Sequence, residues 1–156
     1  MIIAIVAADD NYGIAKNGKI PWHSKEDFAF FKSITTGNGN NAIIMGRKTK
    51  ESLSNFPLPG RKNIVLTSSP GNEDEISSWD EIMGMKHKHD DLFIIGGGEI
   101  YKQAFKQSIP DKILISRIPG NFKCDKFINI DDIKKNYIID KCQLFSEFCL
   151  ETWIRL

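Results

Sequence analysis

Ile94-Ile95-Gly96-Gly97-Gly98-Glu99-Ile100-Tyr101 decides how this chain is read. An apolar, β-branched run ends in three glycines and passes into a helix-forming stretch, so it reads strand, turn, helix. Three glycines let backbone approach a ligand closely, and the helix start offers free N–H groups to phosphate. The stretch is not the GxGxxG dinucleotide fingerprint, because Tyr101 stands where the last glycine would be. Taken alone, it serves equally well as a tight strand-to-helix turn.

Outward from this point, apolar runs of strand length occur at Ile2–Ala8, Ala42–Met45, Asn63–Leu66, Leu92–Ile95 and Lys112–Ile118. Continuous apolar runs bounded by turn residues suit strands covered on both faces. Helices are expected at Lys25–Ile34 after the cap Ser24, at Arg47–Leu53, at Trp79–Met85 and at Gly98–Phe105. Asn136–Asp140 and Cys149–Arg155 form a closing antiparallel pair, with Leu144–Phe148 unassigned between them. Strands alternating with helices imply one α/β domain over 1–156, a mostly parallel sheet with right-handed crossovers. Ligands of such sheets sit at the carboxyl ends of the strands.

Composition narrows the class. A chain of 156 residues, 41% hydrophobic, can bury a core without staples, and a formal net charge of +1 gives no nucleic-acid or membrane surface. Cys124, Cys142 and Cys149 are odd in number and form no CxxC, which fits free thiols in a reducing compartment. His23, His87 and His89 lie outside metal-site spacing, so no bound metal is expected. The run Met1–Ala8 is short, lacks a basic flank and meets Asp9 and Asp10, so it reads as neither signal peptide nor membrane span. The default location is the cytoplasm. Glu73-Asp74-Glu75 reads as a solvated loop.

The strand ends carry the candidate chemistry. Met45-Gly46-Arg47-Lys48-Thr49 places a glycine, two cations and a hydroxyl at a helix start. Only four of the 21 basic residues are arginine, so Arg47 and Arg61 suggest planar, bidentate anion recognition, with solvated surface charge as the plain alternative. Arg47 with Thr67 and Ser68 could hold a phosphate, the extra phosphate of NADPH being the natural candidate. Pro57-Leu58-Pro59-Gly60-Arg61 is a rigid turn that presents Arg61. Asp27 and Phe31, four apart, share a helix face that also carries Ile34. A carboxylate on an apolar face either caps its own helix or binds a cationic or amidine-like ligand. The pattern alone favours the cap.

Several motifs together resemble dihydrofolate reductase. They are Ile3-Ala4-Ile5-Val6-Ala7-Ala8, Gly13-Ile14 with Asn17-Gly18, Pro21-Trp22, Glu26-Asp27-Phe28, Phe31-Lys32, Ile44 through Leu53, Pro57 through Asn63, and Ile95 through Tyr101. They stand in the family's order over residues 2–127. The resemblance implies an eight-stranded, mostly parallel sheet with helices on both faces, and reduction of dihydrofolate by hydride from NADPH. It implies that Asp27 pairs with the pterin and favours protonation of N5, that Trp22 orders a water, and that Ser116 bonds Asp27. Ile5, Ala7, Phe28, Phe31, Leu53, Leu58 and Ile95 would wall the substrate, and Arg61 would hold its glutamate carboxylate. Ala7, Ile14, Gly46, Arg47, Lys48, Thr49, Leu66, Thr67, Ser68, Ser69, Ile95, Gly96, Gly97, Gly98, Glu99, Ile100, Tyr101 and Gln103 would contact NADPH, with Tyr101 also bordering the reacting rings. The Gly96–Gly97 peptide would be cis. The implied partners are dihydrofolate and antifolate inhibitors, and the chain would act as a monomer.

Ala15, Lys25, Glu99 and Cys124 depart from the family's usual residues. Three other readings are a pyrimidine reductase of the same fold, a catalytically silent NADPH- or folate-binding module, and a fragment of a fused reductase–thymidylate synthase. The first lacks the contexts of Asp27, Phe31 and Arg61; the second is disfavoured by filled chemical positions; the third has no room in 156 residues.

Overall fold

The computed structural model describes residues 1–156. In chain order its elements are β1 (Ile2–Ala8), β2 (Gly13–Ala15), α1 (Lys25–Thr36), β3 (Ala42–Gly46), α2 (Arg47–Ser52), β4 (Lys62–Leu66), β5 (Glu75–Ile76), α3 (Trp79–Met83), β6 (Leu92–Gly96), α4 (Gly98–Lys106), β7 (Lys112–Arg117), β8 (Lys126–Phe127), α5 (Ile130–Asn136), β9 (Tyr137–Leu144) and β10 (Cys149–Arg155). Eight strands make one sheet in the order β5-β4-β3-β6-β1-β7-β10-β9. Strands β5 through β7 run parallel, and β10 and β9 close the edge antiparallel. The small pair β2–β8 lies apart from it.

Side-chain alternation along β1 divides the core in two. Ile2, Ala4, Val6 and Ala8 point to a face covered by Ile100, Ala104 and Phe105 of α4 and Ile133 of α5. Ile3 and Ile5 point to the other face, covered by Phe31 and Ile34 of α1 and by Leu53 and Leu58. Both faces are therefore shielded from water, which is why β1 reads as an unbroken apolar run.

The sheet opens at its centre. β1 pairs with β7 as far as Ala8↔Arg117, but with β6 only as far as Ala4↔Ile94. Beyond that point β1 and β6 part at their carboxyl ends. From β1 the chain crosses to β3 on one side, and from β6 it crosses to β7 on the other, so the gap is a topological switch point.

Three expectations are corrected. Glu73-Asp74-Glu75 is a solvated loop only in part: Glu73 is exposed in a turn, whereas Lys50 lies 3.4 Å from Asp74, and Glu75 belongs to β5, its carboxylate accepting from the N–H of Gly71 (2.8 Å) and Asn72 (3.0 Å). Cys142 and Cys149 are joined as a disulfide across the β9–β10 hairpin, so Cys124 alone is a free thiol. Residues 130–136 form α5, capped by Asn129, where no helix is expected from the pattern, and β9 starts one residue late, at Tyr137. No helix is long and apolar enough to cross a membrane.

Candidate active site

The gap between β1 and β6 is the mouth of a crevice of about 420 Å³. Ile5 and Ala7 come from the end of β1, Ile95 from β6 and Ser116 from β7. Asp27, Phe28 and Phe31 enter from α1; Thr49 and Leu53 enter from α2 and its end. Leu58 closes one side, and Ile14, Ala15 and Ile20 of the loop after β1 close another. The wall is mostly apolar, with Asp27 as its only carboxylate.

Asp27 is free because another residue caps its helix. Ser24 Oγ accepts the Asp27 N–H at 3.1 Å, so the pattern-level reading of Asp27 as the cap is corrected. The Asp27 side chain turns into the crevice. Burial pushes its carboxyl above the ordinary carboxylate range, the Ser116 hydroxyl pulls it part of the way back, and the charge of Glu147 adds to the rise. Tyr101 lies fully inside the floor and donates its hydroxyl to the Ile5 carbonyl at 2.7 Å. Burial, reinforced by the charge of Asp27, holds that phenol protonated well above its usual range.

The glycine turn forms the opposite wall. The Gly96–Gly97 peptide is cis, and Gly96 has φ 116°, a conformation that side chains rarely adopt. A Cβ at Gly96 would also sit 3.1 Å from the Tyr101 ring, and one at Gly97 would sit 3.3 Å from Thr49 Oγ1. Helices α1, α3 and α5 are capped by the side chains of Ser24, Ser78 and Asn129. Only α2 and α4 begin on glycines (Gly46 and Gly97) with no side-chain cap; α4 starts at the crevice, and α2 reaches it at Thr49. Their first N–H groups stay available to an anion, and the bare glycine backbone leaves room for one. Ile100 packs over Gly46 from α4 and fixes the two helix starts together: a Cβ at Gly46 would meet it at 2.9 Å.

Other expected site residues lie outside the crevice. Arg61 donates to Pro59 O and Thr35 Oγ1 (both 3.0 Å) and pairs with no carboxylate, so its planar group is held in place with donors to spare. Burial lowers its proton affinity, yet a guanidinium stays charged. Trp22 is buried edge-on against Phe122, with centroids 5.3 Å apart. Arg47 lies in the open, 3.5 Å from Glu51, beside the exposed Lys48. Thr67 Oγ1 accepts the Ser69 N–H at 3.3 Å at the exposed end of β4, where Leu66 is buried and Ser68 is exposed. Gln103 accepts from Trp79 Nε1 at 3.0 Å and donates to Glu99 at 3.4 Å.

Two supporting residues are missed by the pattern. Asn63 is buried in β4 and clasps the turn that carries Leu58 and Arg61, with Oδ1 on Leu58 N–H at 2.8 Å and Nδ2 on the carbonyls of Leu58 and Arg61 at 2.9 Å. An amide inside an apolar strand was the available signal. Asp9 is almost fully buried and ties the loop after β1 to the segment after β7, accepting N–H groups of Asn11 (2.9 Å), Gly13 (2.8 Å) and Phe122 (3.1 Å). Burial raises its carboxyl, but these bonds and the Cys124 thiol outweigh burial and leave it below the ordinary range. Asp125 extends the tie: its N–H donates to Ala15 O, and its Oδ2 accepts the Asn17 N–H, both at 2.9 Å.

The profile of the dihydrofolate reductase family matches residues 1–146. Dihydrofolate reductase of Bacillus subtilis (strain 168) is 39% identical over 130 residues, which cover 81% of this chain and 74% of that one. That of Schistosoma mansoni is 37% identical, covering 84% and 81%. A bifunctional dihydrofolate reductase-thymidylate synthase of Daucus carota is 38% identical, but the chain spans 28% of its length. Among solved structures, dihydrofolate reductase from Enterococcus faecalis complexed with NADP(H) and RAB-propyl aligns with a TM-score of 0.84 at 30% identity, covering 99% of this chain and 96% of that one.

Proposed function

This chain belongs to the dihydrofolate reductase family, and on that premise we propose that it reduces dihydrofolate to tetrahydrofolate with NADPH. The observation that carries the reading is a lone carboxylate, Asp27, set in an apolar crevice opposite an uncapped glycine turn. A pterin offers the amidine-like edge that such a carboxylate binds, and a dinucleotide offers the phosphates that such a turn accepts.

When bound, NADPH supplies the hydride. The residues that would hold it fall in two groups. Ala7, Ile14, Thr49, Ile95, Gly96, Gly97, Gly98 and Tyr101 would hold its nicotinamide end. Gly46, Arg47, Lys48, Leu66, Thr67, Ser68, Ser69, Glu99, Ile100 and Gln103 would hold the rest of it, towards the adenosine phosphate.

Asp27 orients the pterin by pairing with its 2-amino group and ring N3. Ile5, Phe28, Phe31, Leu53 and Leu58 exclude water and hold the reacting faces together, which supplies the orientation the reaction needs. Ser116 steadies the carboxylate, and Arg61 takes the glutamate carboxylate of the substrate at the rim. Asp27 raises the basicity of N5 electrostatically, while a water ordered by Trp22 delivers the proton. Tyr101 holds the Ile5 carbonyl at the floor. The enzyme works as a cytoplasmic monomer whose partners are small molecules, antifolate inhibitors among them.

The deciding experiment is a spectrophotometric assay of NADPH oxidation with and without dihydrofolate. Dihydrofolate-dependent oxidation is the expected result. Folded protein that shows none would leave a binding module instead.

A further inference from the structure

The first turn of α1, which carries Asp27, is gripped from outside by the turn between β9 and β10. Glu147 Oε1 accepts the Ser24 hydroxyl at 2.5 Å and the Glu26 N–H at 3.1 Å. Glu26 answers reciprocally, accepting the Glu147 N–H at 2.8 Å and the Ser146 hydroxyl at 2.7 Å. The chain is thus continuous: Glu147 holds the Ser24 hydroxyl, and the Ser24 oxygen holds the Asp27 N–H.

An exposed glutamate is ordinarily mobile, but this one sits on a pinned turn. Phe145 and Phe148 stack with centroids 4.5 Å apart, and both lie 5.9 Å from Phe30 of α1. Phe145 N–H bonds Phe148 O at 2.8 Å, and the Cys142–Cys149 disulfide closes the base. A carboxylate at a helix start also suits the positive end of the helix dipole.

We propose that Glu147 is a positioning residue for Asp27, acting through Ser24 and the first turn of α1. It fixes how deep the Asp27 carboxylate sits in the crevice, and its charge makes ionisation of Asp27 harder. The proposal rests on the function proposed above for its kinetic consequences only. Around Asp27 the facing groups are Ser116 of β7, Tyr101 of α4 and Glu147. Around Glu147 they are Ser24, Glu26, His23 and Lys25, which draw its carboxyl below the usual range, led by the Ser24 bond.

Two variants separate charge from geometry. Glu147→Gln keeps an oxygen for the Ser24 hydroxyl and removes the charge; Glu147→Ala removes both. The Asp27 carboxyl is titrated by NMR in the ligand-free protein, a reading that needs no turnover. In both variants its midpoint should move to lower pH, and the displacement should shrink at high salt. In the reductase assay, Glu147→Ala should raise KM for dihydrofolate about two- to fivefold, the scale of an exposed interaction. Glu147→Gln should leave KM near the parent value. Ser24→Ala combined with Glu147→Ala should cost no more in KM than the worse single change, because both break one relay. An unmoved Asp27 midpoint in both variants, or strictly additive KM effects, overturns the proposal. Absence of reductase activity in the parent protein would sink the proposed function, while the Asp27 titration would still decide this one.

Discussion

Asp9 and Asp27 are both aspartates in the β1–α1 segment of one small fold, and their surroundings send them opposite ways. Asp9 accepts three backbone N–H groups and a thiol, and it titrates below the ordinary 3.8. Asp27 is offered one hydroxyl in an apolar wall, and it titrates above that value. Each starts from a desolvation penalty that burial imposes on a charge. At Asp9 the protein offsets the penalty itself, so the carboxylate has nothing left to give a ligand and serves as a joint between two loops. At Asp27 the penalty stands until something else supplies donors. The difference between a structural and a binding carboxylate is therefore the number of donors already present, not depth.

The widest separation between the two is kinetic. Asp27→Asn should lower the turnover of dihydrofolate by about 10²–10⁴-fold, the range for loss of a positioned acid–base group, and should flatten its dependence on pH. Steady-state assays from pH 5 to 9 check this. Unchanged turnover would make Asp27 a second Asp9.

Asp27 itself was legible in the sequence; Asp9 was not. The helix period shows which face Asp27 shares with Phe31, but that pattern alone favours a helix cap there; the binding role comes only from the resemblance to the family. The Asp9 donors come from Asn11 and Gly13 nearby, but also from Phe122, 113 residues away in sequence. No local signal carries that pairing. The same limit applies elsewhere. The parallel strands β1, β3, β4, β6 and β7, each built on an apolar run, were readable, whereas β5 and β8, two residues each, exist only because a neighbouring strand or loop pairs with them. Glu147 grips the start of α1 from 121 residues away. The crevice walls followed from strand ends, whereas Arg47, Lys48 and Ser68 are exposed outside the crevice.

On stability the order of the two reverses. Asp9→Ala strands the N–H groups of Asn11, Gly13 and Phe122 and should cost about 3 kcal/mol, at the scale of leaving buried donors unpaired. Because the folded Asp9 carboxyl lies below its unfolded value, its contribution is present above pH 3.8 and lost as pH falls through the folded value. Parent and variant urea-denaturation curves should therefore differ at pH 7 and converge in acid. A constant difference across that range would mean that Asp9 acts by packing, not by charge.

Tyr101 tests how firmly the floor beneath Asp27 is built. Tyr101→Phe removes the donor to the Ile5 carbonyl and should cost about 1.5 kcal/mol. It should also raise KM for dihydrofolate, since Ile5 lines the crevice. A loss of stability with no change in KM would show that the floor tolerates movement.

The smallest effect is the most discriminating, because it has an unusual sign. In the ligand-free protein the folded Asp27 carboxyl lies above its unfolded value. The folded state therefore holds this proton more tightly, which favours folding in acid, and that advantage disappears as pH rises through the folded value. At pH 7 an ionised Asp27 opposes folding. Asp27→Asn removes the charge and should stabilise the ligand-free protein by about 1 kcal/mol, within the range of relieved functional strain. The gain should fade as pH falls and the parent residue takes up its proton. Thermal melts at pH 3.5 and pH 7 decide it. A variant less stable than the parent at pH 7 would mean that Asp27, like Asp9, already has the donors it needs.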